Sequence, residues 1–385
     1  MVLSIVMLLG RESVALPGPS PLGGDDPFAA LSATAGVDAL LLTAGVLAAK
    51  PGLGASPGAR IAFLAAGASL SATSVEALEA AVTASPYDAS GRGLLIAFYL
   101  LHDREALRFR MTRREHVMWL ISHLPAAAEA SDGFARFVAA RDGADAVEGA
   151  RAAWLQQVES HPGSTTILDH AAAFHAWSDP ALAESWWRAA EPLDPGNWHW
   201  AERIGWVRIG AARRAREEGS RYAEASKALE AYQRAQRLAT LREDRLTFQD
   251  RAAWAAWFVK ADEKAARWAG ELIKETPVTS PQYMNAMHQG WTILGLVALR
   301  GRHPAEAETC LAKSADLGPP GDRGRALDFR LDLARDLLAQ GHPTAVAGFL
   351  EALARYPRPG RPNKLAGWRE AIARGESPVL GDSIY

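Results

Sequence analysis

One spacing recurs along this chain and limits what it can fold into. A small residue is followed four positions later by a bulky one, three later by another small one, and five later by proline. Ala345, Phe349, Ala352 and Pro357 fit it, as do Ala183, Trp187, Ala190 and Pro195. Ala150, Trp154 and Pro162 fit with one lapse, and so do Ala307, Leu311 and Pro319. Ser74, Leu78, Ala81 and Pro86 fit with serine in the small position. Ala228, Tyr232 and Ala235 lack the proline, and Ala265 with Pro277 is a weak copy. Steps of four and three place side chains on one helix face. The small residues let a neighbouring helix approach, the bulky one fills the gap, and proline ends the helix because it cannot continue it. The chain is therefore expected to be all-α and built from repeated helix pairs.

The rest of the sequence agrees. Residues 37–50 and 59–71 are apolar on most faces, as buried helices are, and no sustained alternation marks a strand. The 385 residues exceed one core of roughly 100–200. Apolar residues at 49% and charged ones at 22% are ordinary for a globular protein. A net charge of -2 gives no general field to draw in nucleic acid. The single cysteine, Cys310, excludes an internal disulfide and an all-cysteine metal cage. It precedes the packing residue Leu311 and reads as a small buried thiol. No stretch approaches the roughly 20 apolar residues of a membrane span. Residues 2–9 are apolar and Ser13-Val14-Ala15 looks like a small-residue cleavage site, but no Lys or Arg precedes them. A cytoplasmic protein is expected, with a secreted or periplasmic one as the alternative.

Trp291, Leu294, Gly295, Ala298, Ala307, Leu311 and Pro319 follow in order within one helix pair, and Ile204-Gly205 repeats the apolar–glycine step. This pattern resembles the tetratricopeptide repeat, whose period is about 34 residues, over roughly residues 70–357. Ala171-Ala172 and Leu95-Ile96 depart from it. The chain is also similar to a group of bacterial tetratricopeptide-like proteins. That similarity rests on Arg114-Glu115-His116-Val117-Met118-Trp119, on Asn285-Ala286-Met287-His288, and on the ending around Trp368, Gly375, Pro378, Gly381 and Tyr385. The resemblance implies a right-handed α-solenoid with a concave binding face. The expected organisation is a Pro- and Gly-rich flexible lead-in over 1–27, an N-terminal helical cap over 28–73, repeats over 74–357, and a C-terminal capping helix and tail over 358–385. Ile384 and Tyr385 are expected to anchor that tail.

In the family, certain first-helix positions line the groove. Aligned on Pro162 they become Thr166, Asp169, Ala173 and Trp177; on Pro195, His199, Glu202 and Trp206; in the Trp291 unit, Gln289, Thr292, Leu296 and Arg300. Asn285 and His288, one turn apart, either join this face or tie two repeats together as a buried network. The partner-binding set is therefore Thr166, Asp169, Trp177, His199, Glu202, Trp206, Asn285, His288, Gln289 and Arg300. Its middle is acidic and aromatic, which suits a basic or aromatic segment of a protein or peptide. Asp169 and Glu202 stand where the family's carboxylate clamp needs Asn or Lys, so no such clamp is expected. Trp154, Trp187 and Trp291 are expected to pack between helices.

Other constellations carry less. His116 and His123 lie roughly 10.5 Å apart along a helix and cannot share a metal ion. Asp169 can orient a histidine on another helix, but nothing marks a nucleophile. His170 and His175 add no metal spacing. The segment Gly52-Leu53-Gly54-Ala55-Ser56-Pro57-Gly58 lacks the Lys-Ser/Thr of a phosphate loop and reads as a linker. Arginine clusters at Arg104, Arg108, Arg110, Arg113 and Arg114, and at Arg203, Arg208, Arg213, Arg214 and Arg216, read as solvated faces near acids. The expectation is an interaction scaffold without cofactor, metal or catalysis. The alternative is an enzyme or small-molecule binder using His116, His123, Asn285 or His288.

Overall fold

Prolines and capping side chains set the helix boundaries in a computed structural model that describes residues 64, 66–102, 106–280, 282–318, 329–356 and 364–381. The lead-in, most of the expected N-terminal cap, the glycine-rich linker, Arg104, Pro319, Pro357, Ile384 and Tyr385 lie outside the described residues. Those residues are all-helical, with no strand among them. No described helix is long and apolar enough to cross a membrane.

The chain divides into two units between Leu124 and Pro125, inside the range expected to be one run of repeats. In the first unit, α1 (Ala72–Ala84) begins at Ser71, whose side chain accepts from the Ser74 amide. α2 (Ala89–Leu101) begins at Asp88, which accepts from Gly91. α3 (Leu107–His123) follows. α2 is enclosed by the other two, and Leu94, Leu95, Ile96 and Ala97 are fully buried. In α1 the recurring pattern slips: Leu78 is buried, but Ala81 is exposed and Val82 takes the inner place. Arg113 is fully buried rather than on a solvated face.

The second unit opens with a short turn at Ala128–Ala130, α4 (Ala139–Asp142) and α5 (Ala144–Ser160). Helix pairs follow: α6 (Thr165–His175) with α7 (Pro180–Ala190), and α8 (Trp198–Arg214) with α9 (Glu218–Leu238). After the short α10 (Arg242–Leu246) come α11 (Gln249–Phe258) with α12 (Asp262–Glu275), and α13 (Tyr283–Arg300) with α14 (Pro304–Ala315). The last pair is α15 (Asp332–Ala339) with α16 (Pro343–Leu353), before α17 (Leu365–Ala373). Ser164, Asp179 and Asn197 cap α6, α7 and α8. Pro162, Pro195 and Pro277 lie in the turns between helices.

The two helices of each pair pack together, and first helices pack on first helices: α8 on α11, α11 on α13, α13 on α15. The pattern residues form the seams. Ala183, Trp187, Ala190, Ala228, Tyr232, Ala235, Ala150 and Trp154 are fully buried. Trp291 is only half-buried, with the Lys313 ammonium 4.4 Å from its ring. Two glycines exist for close approach. A Cβ on Gly205 would lie 2.8 Å from Tyr232 Cε1, and one on Gly295 would lie 3.0 Å from Cys310 Cβ and overlap Leu333. Cys310 is buried there, which pushes its thiol up. Of the described tail, Leu380 enters the core, while Val379 faces outward.

Candidate functional site

Residues one turn apart on α6, α8, α11 and α13 share a face of each helix, and side chains on that face link the first helices in succession. Asp169 on α6 is buried and accepts from Trp187 Nε1 at 2.7 Å. His199 Nε2 on α8 lies 3.4 Å from its other oxygen, and Arg203 Nε lies 3.2 Å from the same ring nitrogen. With its proton on Nε2 the ring donates to Asp169; with its proton on Nδ1 it accepts from Arg203. Burial pushes the Asp169 carboxyl up, but His199, Arg203 and the Trp187 bond outweigh it and hold the group well below the carboxylate range. Asp169 thus orients a histidine on another helix, as its position allowed.

The next link joins α8 to α11. Glu202 is buried and accepts from Arg251 Nη1 at 2.6 Å. Arg251 also donates to the Thr247 carbonyl and lies 3.6 Å from Asp250. Burial lowers this guanidinium, yet Glu202, Tyr232 and Asp250 raise it above its ordinary value. Between α11 and α13, the fully buried Trp254 donates from Nε1 to Gln289 Oε1 at 2.8 Å. Gln289 Nε2 reaches Asn285 Oδ1 at 3.5 Å. The guanidiniums of Arg213 and Arg330 lie 5.6 and 4.8 Å from the Trp254 ring, within cation–π range.

His288 on α13 is fully buried. Its Nδ1–H donates to the Ser314 carbonyl at 2.9 Å, and its Nε2 accepts the Arg330 amide at 2.8 Å. Here the buried network is the arrangement found. Arg300 donates to the Trp257 carbonyl at 3.1 Å and to Asp262 at 2.5 Å, over the Trp257 ring. Arg208, from the second arginine cluster, bridges Glu184 at 2.6 Å and Glu224 at 2.8 Å.

At the α6 end of this face the surface is open. Trp177, two residues beyond α6, is 62% exposed. Its ring meets Trp206 of α8 edge to face, with centroids 5.4 Å apart. Thr166 is exposed on the same helix as Asp169. The ten expected residues therefore separate into three groups. Trp177 and Thr166 are exposed, with Trp206 half-buried against Trp177; Asp169, His199, Glu202, Gln289, His288 and Arg300 are spent on links between helices; Asn285 is half-buried and reaches only Gln289 on its own helix. The acidic middle is consequently matched internally by His199 and Arg251. Sequence reasoning missed Arg251, Trp254 and Arg330, and it named Arg213 only as part of a solvated arginine cluster. Arg251 and Trp254 sit three apart on α11, much as Glu202 and Trp206 sit four apart on α8, and extending the register to α11 would have found them.

In the first unit, Arg92 Nη1 donates to His116 Nδ1 at 3.1 Å, His116 Nε2–H donates to Glu79 at 2.9 Å, and Tyr99 donates to the same oxygen at 2.7 Å. Both ring nitrogens are engaged. Burial raises Glu79, but these neighbours bring it below its ordinary value; burial and Glu79 together raise Tyr99. His123 donates from Nδ1 to the Trp119 carbonyl at 3.0 Å and stacks on that indole. Among the described residues no three His, Cys, Asp or Glu side chains gather as a metal site. No model of a known protein family matches the chain, and no curated protein matches it.

Proposed function

We propose that this chain is a tetratricopeptide-like α-solenoid that holds a segment of a protein or peptide partner on its first-helix face, at an aromatic clasp formed by Trp177 and Trp206. The observation that carries the reading is this pair. A tryptophan that is 62% exposed and braced edge to face by a second one is costly to leave in water. Tryptophan is also among the residues that dominate binding energy at interfaces. The solenoid part is supported by the locality of packing: among the described residues no substantial contact joins helices of the second unit more than three places apart in order. An aromatic or apolar residue of the partner suits the clasp. The histidines considered for catalysis offer little: both nitrogens of His116 and His288 are already engaged.

The test is selection from a displayed random-peptide library on the full chain, followed by affinity measurements. Selected peptides are expected to share an aromatic residue and to bind at least tenfold more weakly, about 1.4 kcal/mol, to a Trp177→Ala/Trp206→Ala variant of unchanged helicity. Equal binding to the variant moves the interface elsewhere. Failure to select any peptide defeats the reading.

A further inference from the structure

A cavity of about 230 Å³ opens among α10, α11, α12 and the start of α13. Its walls include Leu246, Leu272 and Pro277, and its polar groups include Glu243, Asp250 and Asn285. Among the described residues no Lys, Arg or His lines it. Glu243 is exposed and has no ion-pair partner among the described residues. Asp250 lies 3.6 Å from Arg251, a guanidinium also bonded to Glu202 and Thr247, and the charge of Arg213 reaches it as well. The cavity thus offers, above an apolar wall, the Glu243 carboxylate, which has no ion pair among the described residues, beside the Asp250 carboxylate, which shares the charge of Arg251 and Arg213.

Its size narrows the choice of ligand. Sites for drug-sized molecules run to about 300–1,000 Å³, so this space suits one long side chain. A methylene stem fits the leucines and proline, and a cationic head fits the carboxylates. An anion would be repelled, and a neutral head would leave the carboxylates unmatched. Asn285 connects the cavity to the linked face through Gln289 and Trp254. We infer that this cavity receives a lysine or arginine side chain. The inference deepens the peptide-holding reading and rests on it for the side chain's source, because it supplies the basic half of a partner whose aromatic half meets the tryptophans.

The test needs no partner. The full chain, methyl-labelled at leucine, is titrated with N-acetyl-arginine methylamide and N-acetyl-lysine methylamide, and with the citrulline and norleucine counterparts. The cationic compounds are expected to shift the Leu246 and Leu272 methyls with millimolar affinity, as so small a contact allows. Glu243→Gln/Asp250→Asn should weaken that binding at least tenfold. Glu243→Gln alone, at an exposed position, should weaken it in the same direction and guards against loss of folding. Either cation binding alone identifies the preferred head and supports the inference. Equal shifts from the neutral compounds, no shift up to about 50 mM, or undiminished binding by the variants would overturn it. Cation binding without any selectable peptide would leave the cavity assignment standing and remove the clasp.

Discussion

Buried ionisable groups in this chain act mainly as fasteners, and their protonation makes that testable. His175 is buried, and its Nε2 has no protein partner. Burial lowers it to about 4, with Asp179 opposing and Arg151 assisting. In the unfolded chain the same group titrates near 6.5. Between these values the unfolded state holds more protons, so stability present above pH 6.5 is lost as pH falls toward 4. The loss is on the order of 3 kcal/mol, and urea unfolding of His175→Gln should show a flatter dependence across that window. Asp169, held low, acts on a separate limb: its contribution is present above its unfolded value and disappears only in stronger acid. Glu202→Ala should cost about 3 kcal/mol, because it strands the Arg251 guanidinium; the same unfolding assay checks it. Gly205→Ala should cost about 1–3 kcal/mol, since the added methyl meets the Tyr232 ring.

At the level of helices, the sequence was most readable where small and bulky residues build seams. Ala183–Trp187–Ala190 and Ala228–Tyr232–Ala235 occupy the buried positions their spacing implies. In α1 the same spacing misled by one position, because Val82 is a better inner residue than Ala81 and the helix turns to bury it. The exposed tryptophan was also readable, since the register placed Trp177 and Trp206 on one face. The links between first helices were less so. Glu202 and Arg251 are 49 residues apart in sequence, and no local period pairs an acid with a base at that distance. His288 was open between ligand and network because its partners are backbone groups, which leave no mark in composition. Caps were local and offer a direct check. Asp179→Ala removes the side-chain acceptor at the start of α7 and a 3.7 Å ion pair with Arg151. It should cost about 1 kcal/mol, read from thermal or urea unfolding.

Across the whole chain, stability is assembled from neighbours. The unit beginning at Pro125 has a continuous core from Ala201 to Leu380, and α7 packs on α8 at its start. A fragment starting at Pro125 should therefore keep its helicity, which circular dichroism would show directly. Because among the described residues substantial packing joins only helices close in order, denaturant unfolding of the full chain should depart from a single two-state transition. The links between first helices have a mechanical consequence. A pull along the order of helices passes from junction to junction in series, so the weakest junction sets the yield force and the others remain intact. Each junction on the linked face is crossed by directional polar bonds, such as Asp169 to His199, Glu202 to Arg251 and Trp254 to Gln289. Such bonds break over a fraction of an ångström, whereas an apolar seam can slide. Under tension this face should behave as the brittle edge of a chain whose other edge is compliant.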